Sequence, residues 1–141
     1  MYDRPDVSEL IDAVRQHLEQ QVIPAVKDDP KLYFQTLVAA NVLKIAGRDL
    51  ALSVEQLHTA WDRLNELRGE AVPFPPNEQL AHSEMGLRNR DLCAEIRAGE
   101  WDDPAQMKPL LAMAAANTVD ALRVANPKFL AALEEEAKRE P

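Results

Sequence analysis

The sequence predicts an all-α fold, a single-domain bundle of about five to six helices with short connections, over residues 1–141. Three observations carry this reading. Apolar residues recur at spacings of three and four nearly everywhere. Prolines fall repeatedly where helices start or stop. No alternating apolar–polar segment of strand length stands out.

Val7, Leu10, Ile11, Val14 and Leu18 share one stripe of a helix from about Pro5 to Ile23. Pro24, with no amide proton, should end or kink it. A second helix over about 31–50 is apolar almost all round (Phe34, Leu37, Val38, Val42, Leu43, Ile45), the pattern of a helix buried in a bundle. Ser53, with Gln56 three residues later, reads as a capping-box start. Val54, Leu57, Trp61, Leu64 and Leu67 then form the inward stripe of a third helix, closed by Gly69. Val72-Pro73-Phe74-Pro75-Pro76 is a stiff extended connector. A fourth helix covers about 77–98 and stops at Gly99. Asp102-Asp103-Pro104 and Lys108-Pro109 are two helix starts in succession, read as a short turn over 102–107 and a fifth helix over about 108–124. Asn126-Pro127 opens a sixth helix through Phe129, Leu130 and Leu133, and the charged tail 134–141 is expected to fray.

Composition narrows the function. Sixteen basic against 24 acidic residues leave a net charge of −8, a poor basis for holding nucleic acid through the overall field. One cysteine, Cys93, excludes an internal disulfide and every multi-cysteine zinc framework. Four glycines leave no Gly-rich phosphate loop. The charged N-terminus lacks the apolar core of a secretory peptide, and no run of about 18 apolar residues suggests a membrane span. A cytoplasmic protein without a cofactor and without membrane association is the expectation.

Catalytic constellations are sparse. His17, His58 and His82 lie on three different predicted helices. His58 and Asp62 share a helical face, but two ligands do not make a metal site, so no metal is expected. Cys93 falls inside an amphipathic helix, where a thiol behaves as a small buried hydrophobe. Ser8, Ser53 and Ser83 sit near helix starts, where hydroxyls cap. No catalytic residue is assigned. Asn41 stands among Leu37, Val38, Val42 and Ile45 and is read as a buried amide, hydrogen-bonded across helices to fix register or turned toward a ligand. The densest polar segment runs from His82 to Asp91. In it, Glu84 and Arg88 have the spacing of an intrahelical ion pair, while Arg90 and Arg97 share a face seven residues apart. Two cations on one helix of an acidic chain suit a carboxylate, a phosphate or a partner's acidic side chain. Arg88, Asn89, Arg90, Arg97 and Asn41 are therefore the candidate ligand- or partner-binding residues.

Several strings resemble one family: Met1-Tyr2-Asp3-Arg4-Pro5, Val38-Ala39-Ala40-Asn41-Val42-Leu43, Leu87-Arg88-Asn89-Arg90-Asp91-Leu92-Cys93 and Asn126-Pro127. It is a set of small bacterial proteins known as a domain of unknown function, typically encoded beside aminoglycoside-phosphotransferase-like kinases and acyl-CoA dehydrogenases. The resemblance covers essentially the whole chain and brings no catalytic residues to carry over. It implies a non-catalytic accessory module for a kinase-like or acyl-CoA dehydrogenase-like partner in acyl-CoA metabolism. The alternative is a small ligand-binding or minor catalytic subunit that recognises an anionic, acyl-CoA-like compound through Arg88, Asn89 and Arg90. A homo-oligomer without a ligand is a third reading.

Overall fold

The computed structural model describes residues 4–139. Met1, Tyr2 and Asp3 of the N-terminal string and the last two residues of the charged tail lie outside the described residues. Every regular element is helical, and no strand occurs among the described residues. The order is α1 (Val7–His17), a π-helical turn (Leu18–Val22), α2 (Ile23–Ala25), α3 (Pro30–Arg68), α4 (Glu78–Arg97), α5 (Pro104–Ala125) and α6 (Pro127–Ala137). The expected all-α bundle with short connections is what forms.

Helix starts follow the chemistry of their caps. Asp6 closes a capping box over α1, accepting from the Glu9 amide at 2.8 Å while its own amide donates to Glu9 Oε2 at 2.9 Å. Asp29, Asn77, Asp103 and Asn126 cap α3, α4, α5 and α6 through their side-chain oxygens. The first rod accommodates Pro24 rather than stopping there. The π turn ahead of it widens the ladder, so the Ile23 amide reaches the Leu18 carbonyl, and helix continues to Ala25.

Two expected helices are one. α3 runs unbroken for 39 residues, so Ser53 is an interior residue and not a cap. Nothing from Arg48 to Arg68 is Gly or Pro, and a Ser–Gln spacing cannot end a helix that no residue breaks. The expected turn over 102–107 is likewise the first part of α5, which carries Pro109 inside it. The charged tail stays helical to Ala137.

The chain folds as two compact units, Met1–Leu52 and Ser53–Pro141. The second holds the core: Leu57, Trp61, Leu64, Ala81, Met85, Leu92 and Leu110, with Trp61 and Leu64 each 1% exposed. Burying large side chains of this kind stabilises by about 1.5–3 kcal/mol each. The connector closes this core. Val72 accepts hydrogen bonds from Trp61 Nε1 and Asn65 Nδ2, both at 2.9 Å, and Phe74 meets the Trp61 ring edge-on at 5.6 Å. His58 stacks on Phe74 with ring centroids 3.5 Å apart. Two left-handed glycines end helices here: Gly69 (φ 63°) after α3 and Gly99 (φ 81°) after α4.

The first unit is built differently. Among its described residues only Thr36 and Ala40 are buried. The rod from Val7 to Ala25 packs on one side of α3, where Glu19 pairs with Lys44 and Ile11 lies over Gly47. A helix that is apolar all round therefore keeps a second face bare. Phe34 (66% exposed), Leu37, Val38 and Val42 are exposed, as are Val7, Leu10 and Val14 of α1. The expectation of a buried second helix fails for this reason, and so does that of a buried Asn41, which is exposed on the bare face.

Candidate functional site

The polar segment on α4 divides between inside and outside. Consecutive helical residues turn by about 100°, so Arg88 and Arg90 diverge by about 200°. Arg88 points into the second unit. Its guanidinium lies 4.5 Å from the Trp61 ring centroid and donates from Nη2 to Asn65 Oδ1 at 2.7 Å and to Glu70 Oε2 at 3.0 Å. The expected partner, Glu84, is not the one it uses. Planarity lets the guanidinium stack on the indole while its edge donates, which lysine could not reproduce. Arg88 is thus a clamp between α3, α4 and the Glu70 segment.

Asn89, Arg90 and Arg97 are exposed on α4, and neither arginine forms an ion pair with a described residue. Cys93, between them, is exposed as well, which corrects the expectation of a buried thiol. The core face of α4 is set by Ala81, Met85 and Leu92, and the residue after Leu92 turns away from it. Arg90 and Arg97 line none of the four cavities described below. Asn41 belongs to the first unit and Arg88–Arg97 to the second.

Residues that composition and spacing did not single out build the denser polar clusters. A cavity of about 480 Å³ is lined by Arg68, Glu70, Glu95, Glu100 and Trp101. Arg68 Nη2 donates to Glu95 Oε1 at 2.8 Å, and Trp101 Nε1 donates to Glu95 Oε2 at 3.1 Å. A neighbouring cavity of similar volume runs between α3 and α5 along Leu67, Ala112, Met113 and Ala116, with Arg63 and Glu66 beside it. Asp120, 7% exposed, gives one carboxylate oxygen to Arg63 and the other to Arg123, while Asn117 Oδ1 accepts from Arg63 Nη1 at 2.9 Å. Only Asp120–Arg123 has a local signal, being three apart on one helix. Arg63–Asp120 and Arg68–Glu95 join residues 57 and 27 positions apart, which no periodicity reveals. A smaller, mostly apolar depression lies along Asp102, Met107 and Leu111.

In the first unit, a cavity of about 330 Å³ between α1 and α3 is lined by Asp12, Arg15, Lys44 and Arg48. Glu19 bridges Lys44 and Arg15, and hydrogen bonding to Lys44, then the nearby positive charges, holds its carboxyl below the usual range. A hydrogen bond from Arg15 does the same to Asp12. These carboxylates are neutralised by their own neighbours and serve as ties. No group of three or more His, Cys, Asp or Glu side chains at metal-binding distance occurs among the described residues. Among the described residues no helix is long and apolar enough to cross a membrane.

The family described as a domain of unknown function (DUF6285) matches residues 24–129. The chain belongs to this family. The DUF6285 match takes in α3, α4 and α5 whole and stops within the first turn of α6. No curated protein and no solved structure matches the chain.

Proposed function

We propose that this DUF6285 chain is a non-catalytic accessory module that docks on a partner protein through the apolar stripe of α1. The observation that carries the reading is the exposure of Val7 (60%), Leu10 and Val14 on one side of that helix. Monomeric soluble domains scatter exposed hydrophobes singly, whereas contiguous apolar surface marks an interaction face. An amphipathic helix laying such a stripe into a groove is a recurring mode of recognition. The partner class follows from the resemblance: an acyl-CoA dehydrogenase-like or aminoglycoside-phosphotransferase-like chain, in bacterial acyl-CoA metabolism in the cytoplasm.

Co-expression with each class of partner tests the proposal. The tagged wild-type chain should retain one partner in stoichiometric amount, and Leu10→Glu or Val14→Glu should release it. Both side chains are exposed, so the variants should keep the helical circular dichroism of the wild type. Retention unchanged by both substitutions, or retention of neither partner, would sink the reading.

A further inference from the structure

The bare face of α3 carries a feature that α1 does not: an amide in the middle of an apolar stripe. Phe34, Leu37, Val38, Asn41 and Ile45 step by three and four along one side of the helix. Phe34, Leu37, Val38 and Asn41 are exposed, and Ile45 is half-buried. Lys31 and Asp49, ten residues before and eight after Asn41, flank the stripe on the same side, since 18 residues make five full helical turns. Both are exposed, and neither forms an ion pair with a described residue.

We infer that this face is the interface of a homodimer, in which α3 packs antiparallel against α3 of a second copy about a two-fold axis at Asn41. Two properties of this face select the occupant. A carboxamide both donates and accepts, so two copies of Asn41 facing each other satisfy one another, as a single asparagine does when it fixes register in a coiled coil. With the axis at Asn41, Leu37 of one copy lies opposite Ile45 of the other. Lys31 then comes within about 3 Å along the axis of Asp49 of the other copy, and symmetry makes this pair twice. The charge order is thus complementary to itself when antiparallel. In the parallel arrangement Lys31 shares its level with Lys31 and Asp49 with Asp49, so no pair of opposite charges forms. This interface uses a different helix from the docking stripe of α1, so either can fail alone.

Analytical ultracentrifugation of the full chain, with circular dichroism as the folding control, decides the matter. The wild type should sediment as a dimer. Lys31→Glu should weaken dimerisation about tenfold, because two attractions become repulsions. The double reversal Lys31→Glu, Asp49→Lys should restore it. Asn41→Asp, nearly isosteric at an exposed position, should weaken it at neutral pH by setting two carboxylates face to face, and should do so less at acid pH. Leu10→Glu should leave the dimer intact. A wild type monomeric at its highest soluble concentration overturns the inference. A double reversal as weak as the single one does too, because self-complementary pairing cannot survive that result. A monomer that still retains a co-expressed partner would leave the α1 reading standing; a monomer that retains none would remove both.

Discussion

Arg88 and Arg90 are two positions apart in sequence and opposite in role. Arg88 stacks on Trp61 and donates to Asn65 and Glu70, so removing its side chain leaves two acceptors without that donor and deletes a cation–π contact. Hydrogen bonds to charged groups are worth about 1.5–3 kcal/mol, and Arg88→Ala should cost about 2–3 kcal/mol in denaturant unfolding. Arg90→Ala, at an exposed side chain with no ion pair, should stay within about 0.5 kcal/mol. Equal costs for the two would mean that the inward and outward assignments are wrong. Sequence could place both arginines on α4 and could separate their directions. It could not choose Asn65 and Glu70 over Glu84, because the i, i+4 rule sees only one helix, and the winning contacts cross 18 and 23 positions.

At the scale of the element, the continuity of α3 has a direct consequence at Ser53. A serine that caps a helix costs about 1 kcal/mol when replaced by alanine, whereas an interior serine does not. Ser53→Ala should therefore leave the melting temperature unchanged or raise it slightly, since alanine is the better helix former. A loss of about 1 kcal/mol would restore the two-helix reading. Gly86 is the complementary case. It lies inside α4, and beyond its chain neighbours and the helix's own backbone nothing stands within 4 Å of where a Cβ would be. Gly86→Ala should stabilise by about 0.5–1 kcal/mol, read as a higher melting temperature. Helix periods and the Asp103-Pro104 and Asn126-Pro127 starts are legible because period and punctuation are local. For the same reason local signals suggest joints at Ser53 and Lys108-Pro109 where α3 and α5 run on. A cap motif states what a helix start would need, and tertiary continuity decides whether one occurs.

For the whole molecule, the sequence revealed which residues are apolar but not how many helices would be present to cover them. The stripe of Leu57, Trp61 and Leu64 has an inward pattern and is buried, because α4, α5 and the connector close over it. The stripe of Phe34, Leu37 and Val38 looked at least as buried in pattern and is exposed, because one rod covers one side of α3 in the first unit. With so little buried there, that unit leans on its ion pairs, and this fixes its response to acid. Asp12 and Glu19 are held below their ordinary values by Arg15 and by Lys44. A depressed carboxyl contributes stability above its unfolded value and loses it as pH falls through the folded one. Amide protection in α1 should thus be constant near neutrality and decline as pH drops below about 4. Both tryptophans, Trp61 and Trp101, lie in the second unit, so their fluorescence follows that unit separately in the same titration. Glu19→Gln removes one titrating tie. It should lower protection in α1 at neutral pH and make the acid decline shallower. Protection in α1 that stays flat down to about pH 3 in the wild type would show that these pairs do not hold the first unit together.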